Sequence, residues 1–509
     1  MKGDFTRNTF DPTRHFSRVL MQQGRVQLDA DFNEQAAILL DYLRMMMVDL
    51  IGPYGRPEKL DAAVNQAFEI SLSGTDITIM PGRYYVDGIP CENDSEVTYS
   101  NICKGDKKYY VYLDVWERHI THVQDDFIRE KALGGPDTCS RAKVVWQVRF
   151  QEIPAKALTE ARIKELKERI GALSKPPKTE DTFLKTRIQR LINELEKRIK
   201  LLGTPTTPSC SDAKTWINGL PKLGNVLMQA RLQPEKNNDD ACSVAPESRY
   251  RGAENQLYRI EIHRGGAVWD GKSDKAGNPS GNAAEAATFK WSRDNGSIVF
   301  PIIQQDGAVA TLQSFGRDER TSLKIGEWVE IMDDEIELQG KPGIMAQVDK
   351  VDPVEMKVTL RQPAEGDSGF WPAYDEKSIR HPLLRRWDHR AIEGIALQQG
   401  AILTSESDDP DSGWIEIEDG IEVQFQPVAS EYRTGDYWLI PARVTTGKIE
   451  WPLECDDEGQ ILEDKNGNEI SKAISPHGIE HHYAPLAVVE AGKPTDCRCT
   501  FKPLPCQGA

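Results

Sequence analysis

The sequence contains no apolar run of about 18 residues, the length a membrane-spanning helix needs, so no membrane span is expected. Basic charge is in short supply. Against 80 Asp and Glu stand 63 Lys and Arg, a formal net charge of −17 over 509 residues. Phosphate-rich surfaces recruit basic faces, so this balance excludes a chain-wide binder of nucleic acid or anionic membrane. The opening MKGDFTRNTFDPTRHF has no apolar stretch after its basic residues, and no signal peptide is read there. Cytoplasmic assembly is expected, with any extracellular release occurring by lysis or as part of a particle. Cysteine is sparse: nine residues, odd in number and scattered, make no disulfide framework, and mostly buried thiols are expected.

What is present reads as a mainly β, multidomain chain. Residues 1–65 form an N-terminal arm followed by a helix. Ala36, Leu39, Leu40, Leu43, Met46, Met47 and Leu50 recur at spacings of three and four and so share one helical face. Asp31 and Asn33 stand near its start, and Gly52-Pro53 stops it. Residues 66–154 form a β domain with turn signals at Pro81-Gly82 and Asp87-Gly88 and long strands expected at 109–116 and 143–150. Residues 155–202 break this pattern: two helical stripes flank Pro176-Pro177, which predicts an inserted antiparallel helical hairpin. Residues 203–287 are a linker and loop-rich segment. Residues 288–365 hold five short strands separated by turns, the signature of a small β-barrel or sandwich. Residues 366–509 are a C-terminal β domain, with a hairpin loop expected at 465–468.

The motifs that carry chemistry fall short of a complete site. Gly266, Gly271, Lys272 and Ser273 fit the phosphate-loop spacing, but that loop needs a helix beginning at the Lys, and the residues that follow are Asp, Gly, Asn and Pro. The segment is read as a loop. Gly366, Asp367, Ser368 and Gly369 resemble the nucleophile segment of chymotrypsin-like proteases, yet no His stands in a matching context to act as base. His477, His481 and His482 are the candidate metal ligands, with Cys497, Cys499 and Cys506 near them in sequence; Gly478 and Pro485 weaken the helix an i, i+4 pair would need. Acidic loops at 408–411 and 456–458 lack the spacing of a calcium loop. No Gly-rich dinucleotide fingerprint occurs. No cofactor and no enzymatic activity are expected.

A resemblance adds to this reading. The opening residues 1–7, Phe10-Asp11-Pro12, residues 15–31 and Asn33-Glu34-Gln35 resemble the start of an uncharacterised bacterial domain family associated with phage-tail-like contractile injection system loci. Residues 251–259, 289–297 and 435–443 are similar to the same family, whereas the hairpin at 155–202 and the Cys-bearing tail look like local additions. The resemblance implies a structural component of a contractile particle, baseplate-associated, as a cage, collar or fibre-attachment element. Its partners would be baseplate, spike or fibre subunits and further copies of itself in three-fold or six-fold symmetry. The arm is the expected assembly element, because an irregular segment leading into a Met-rich helix has little to bury against within one chain. Phe5, Phe10, His15, Phe16, Arg18, Met21 and Arg25 are its candidate contacts. Two other readings stay open. One is a metal-dependent hydrolase or toxin cargo using the histidine cluster. The other is a receptor- or glycan-binding tail protein presenting Trp371, Trp387 and Trp414.

Overall fold

The computed structural model describes residues 1–58, 66–102, 107–134, 137–153, 208–234, 249–275, 279–316, 318–362, 380–390, 397–407, 409, 412–427, 431–456, 458–464, 467–490 and 492–502. It also describes residues 163–164, 166–168, 170–171, 189, 192–193, 196 and 199. The chain is mainly β, 40% strand against 15% helix. Among the described residues no helix is long and apolar enough to cross a membrane. Most of the expected hairpin at 155–202 lies outside the described residues; Ile163, Leu166 and Ile192 within it are helical.

Helix α1 (Asp29–Ile51) begins where the Asp31 side chain accepts the Leu28 amide, and it ends at Gly52, whose φ of 84° suits a residue without a Cβ. Only Ala30 and Ile38 are buried along its 23 residues. Its seat on the body is the Asp87-Gly88 turn, which joins strands Gly82–Val86 and Ile89–Asn93 with positive φ at both residues, the conformation of a two-residue hairpin. A Cβ on Gly88 would lie 2.5 Å from the Arg44 carbonyl oxygen, so the turn passes beneath α1 at a distance only glycine permits. Arg44 then reaches Glu117 at 2.9 Å.

Behind this turn lies the first β body. Tyr109–Ile120 pairs with Arg141–Glu152 along its whole length, as the alternating apolar residues predict, and with His482–Glu490 on its other edge. A smaller sheet brings Tyr54–Pro57 parallel to Thr500–Phe501. Tyr84, Ile77, Ile79, Leu113, Val115 and Leu486 fill one core between them. The pairings therefore join segments that the sequence reading separates, since strands from 366–509 complete sheets begun in 54–154. Helix α2 (Cys210–Asn218) is capped by Ser209 and Asp212 and packs beside Val488.

Here the structure corrects the expectation of unpaired, mostly buried thiols: Cys210 and Cys497 form a disulfide across 287 residues. Of the free cysteines described, Cys91 is buried, Cys499 half-buried, and Cys139 and Cys455 exposed. The spacing gave no hint, because the two sulfurs meet only once α2 lies on the sheet. Closing so long a loop restricts the unfolded chain, so Cys210→Ser should cost about 2–4 kcal/mol. Urea unfolding of the oxidised protein and the variant checks this.

The second body is a six-stranded sheet with Gln256–Arg264 at its centre, flanked by Thr288–Ser292 and Tyr437–Arg443. A three-stranded sheet, Leu227–Leu232 with Ile415–Glu418 and Ile421–Gln426, packs against it. Tyr258, Ile260, Phe289, Phe425 and Trp438 form the shared core. The third body is the barrel expected at 288–365. It closes with six strands: Val299–Asp306, Val309–Leu312, Lys357–Arg361, Ile344–Asp352, Trp328–Met332 and Leu383–Trp387. Phe300, Val329, Ile331, Val348 and Leu384 fill its interior. Thr288–Ser292 belongs to the central sheet instead, and the last stave comes from beyond residue 365.

Candidate functional site

The three bodies meet at a buried cluster of charge. Along Gln256–Arg264 the alternate residues Arg259, Glu261 and His263 share one face, as period-two geometry requires, and all three are buried. Lys290 stands opposite Glu261 in register on the next strand. The barrel contributes Glu330, whose carboxylate takes Lys290 at 2.6 Å, the Trp387 indole at 2.9 Å and the Gly343 amide at 3.1 Å. Glu261 takes Arg259 at 2.5 Å, Lys2 at 3.1 Å and Lys290 at 3.4 Å. The first body contributes Arg118, which binds Asp334 at 2.6 Å and Glu337 on helix α3 (Asp334–Gln339).

The chain's first residues plug this junction. Asn295 donates to the carbonyls of Met1 at 3.1 Å and Gly3 at 2.9 Å, while Arg259 stacks 3.6 Å over the Tyr437 ring. Phe5 packs edge-on against His119. Arg7 reaches Glu450 at 3.2 Å. Thus residues 1–7 find a partner within their own chain, which corrects the idea that the whole arm lacks one; Phe5 is an internal contact. Beside the plug lies a cavity of about 210 Å³, lined by Lys2, Arg118, His119, Glu337, Tyr437 and His477 among others.

Electrostatics fixes the protonation of these groups. Burial would raise the Glu261 and Glu330 carboxyls, but the cations around them outweigh it and hold both well below the carboxylate range. Burial, helped by the Lys290 charge, lowers His263. Burial and neighbouring cations push His119 down to about 3. The acids are therefore ionised and the imidazoles neutral near pH 7. None of these groups is tuned to exchange a proton there, as a general acid or base must.

The histidines read from the sequence go to separate partners. His481 bonds Asp114 at 2.6 Å and stacks on Trp116, whereas His482 bonds Asp87 at 2.9 Å. His477 Nδ1 accepts the Leu439 amide at 2.9 Å. Burial would raise Asp87, but hydrogen bonds from His482 and Lys222 hold it below its usual range. Among the described residues no group of three His, Cys, Asp or Glu is placed to hold a metal ion. Cys497 is spent in the disulfide, and Cys506 lies outside the described residues. At the phosphate-loop spacing no helix starts: Lys272 turns back to Asp270 at 2.8 Å. The segment 366–369 lies outside the described residues.

The tryptophans expected to line a sugar platform do not form one. Trp387 is buried with Lys290 over its ring, Trp414 is half-buried beneath Arg231, and Trp371 lies outside the described residues. Trp387 is covered because it ends a barrel stave.

The outer surface differs. Of twenty large apolar side chains exposed among the described residues, thirteen fall between Phe16 and Leu50. Single exposed apolar residues are ordinary, whereas a concentration of this kind is not. Phe10, His15 and Phe16 edge a shallow groove against Ile38, Tyr42 and Met45. Arg18, Met21 and Arg25 do not line it and are exposed. Leu20, Val26, Phe32, Leu39, Leu43 and Leu50, absent from the candidate contacts, are at least as exposed as Phe16.

No curated protein matches the chain. Among solved structures, a crystal structure of TssK aligns over 73% of this chain and 96% of its own at 9% identity, with a TM-score of 0.16, and so loose a superposition carries no argument. The model of a family of unknown function, DUF6519, matches residues 1–508, and the chain belongs to that family.

Proposed function

We propose that this chain is a non-enzymatic structural subunit of a phage-tail-like contractile injection particle, built into or beside the baseplate. The observation that carries the assembly reading is the apolar surface of residues 16–50, which the described residues leave exposed. Burying such side chains is worth about 25 cal/mol per Å² of apolar area, so this face gains stability when another protein lies on it. The particle itself is named by the resemblance of the opening residues. The ion-paired junction suits this role, since it locks three bodies into one rigid part. The metal-hydrolase and glycan-binding alternatives draw less support, given the divergent histidine partners and the buried Trp387.

Charging the exposed arm tests the proposal. Leu20→Asp with Met21→Asp should leave the melting temperature within a degree or two, because both side chains are already in water. Incorporation into particles, followed by co-sedimentation, should fall at least tenfold. Undiminished incorporation would remove the arm from the assembly.

A further inference from the structure

The exposed face of α1 has a stricter pattern than general apolarity. Phe32, Ala36, Leu39, Leu43, Met46 and Leu50 follow one another at spacings of 4, 3, 4, 3 and 4, and every one of them is exposed. That alternation is the heptad repeat of a coiled coil, with Ala36, Leu43 and Leu50 at a and Phe32, Leu39 and Met46 at d. Leu40 and Met47 occupy the flanking e positions, which broadens the seam beyond a narrow two-helix contact. The charged residues Asp31, Glu34, Asp41 and Arg44 sit at b, c and f, on the side that faces the body and the arm. At a the repeat ends with Asp29, which is bonded by the Thr6 amide at 2.9 Å.

We infer that α1 associates in parallel with the α1 of further copies of this chain, forming a coiled coil on the molecular symmetry axis. A second copy is the occupant the pattern fits. It presents the same knobs at the same 3-4 spacing, so each layer meets its own kind without a matched foreign sequence. The orientation follows from polarity along the seam. Asn33 and Gln35 flank its first turns, and Leu40, Tyr42 and Met47 the later ones. Parallel packing sets polar beside polar and apolar beside apolar, whereas antiparallel packing would face Asn33 with Asp49 and Leu50. The seam covers only about two and a half heptads, short for a free peptide. Here, however, the helix is already formed and anchored by the Gly88 turn and the Arg44–Glu117 pair, so little ordering remains to oppose association. The inference deepens the assembly reading but is tested on the isolated protein, so that its failure and that of particle incorporation are separate results.

The experiment uses the full chain carrying Cys139→Ser and Cys455→Ser, which removes the two exposed native thiols described. Adding Leu39→Cys at d should give a covalent multimer under mild oxidation, while Met45→Cys, exposed but off the seam, should give at least tenfold less. By light scattering the parent should be oligomeric, more so at high salt because chains of charge −17 repel, and Leu43→Asp should be monomeric while keeping the parent's circular-dichroism spectrum. A parent that stays monomeric at every concentration, or equal cross-linking at positions 39 and 45, overturns the inference. If the isolated parent is monomeric but Leu43→Asp fails to enter particles, the seam belongs to a different protein and self-association is refuted.

Discussion

Glu330→Ala should destabilise the chain by about 3–5 kcal/mol, the cost of leaving a buried cation without its partner. The carboxylate is 1% exposed and accepts Lys290, Trp387 and Gly343 together, so its removal leaves three donors short of an acceptor. Glu261 cannot take over, since at 3.4 Å from Lys290 it is already shared with Arg259 and Lys2. Because the cluster is contributed by all three bodies, the loss should appear in one cooperative transition and not as the separate melting of the barrel. Adding Lys290→Met should recover part of the loss, because a buried pair replaced by apolar groups costs far less than a broken one. Chemical denaturation of the two single variants and the double variant gives the coupling energy directly. A loss below about 1 kcal/mol in Glu330→Ala would show that the junction is hydrated and contributes little.

Acid should weaken the fold through His389. This ring is 1% exposed, stacks on Trp328, and donates from Nε2 to the Gly400 carbonyl at 2.7 Å. Its Nδ1 has no hydrogen-bond partner, so a second proton would be buried without an acceptor. Burial accordingly lowers its pKa from 6.5 to about 4. The folded state then binds fewer protons than the unfolded state between those values. The stability this site contributes is whole above pH 6.5 and is lost as the pH falls towards 4, by about 3 kcal/mol in all. Asp436 runs the other way, since burial raises its carboxyl to about 6 and it favours folding as the pH falls. The site is therefore read from the difference between wild type and His389→Gln, whose stability gap should narrow steadily from pH 7 to pH 4. Parallel curves would mean that the ring takes up its proton over the same pH range in the folded and unfolded states.

The β character, the barrel and α1 were legible because each rests on local pattern. Alternation marks 109–116, turn residues punctuate the barrel staves, and three-four spacing marks the helix. Which surface covers a pattern is not local. The same spacing in α1 describes a core-facing stripe and an unpaired seam equally well, and only the course of the arm and the Gly88 turn shows that the body occupies the opposite side. Likewise, nothing local joins Arg259, Glu261 and Lys290; the register sets Glu261 against Lys290 and the barrel brings in Glu330. The pairing of Cys210 with Cys497, and of Tyr109–Ile120 with His482–Glu490, depends on chain closures of several hundred residues that no window of sequence contains. The histidine cluster fails for the same reason: neighbours in sequence, His481 and His482 take carboxylates from different elements.

The central claim is that the face formed by residues 16–50 is buried against other subunits in an assembled particle. Covalent footprinting of Leu20, Met21, Leu39 and Met46 measures this directly, comparing assembled particles with the free Leu43→Asp chain. Protection of these side chains on assembly is the expected result, with Phe127 and Val354, exposed elsewhere on the surface, serving as references. Labelling of the four residues to the same extent in both states would contradict the account.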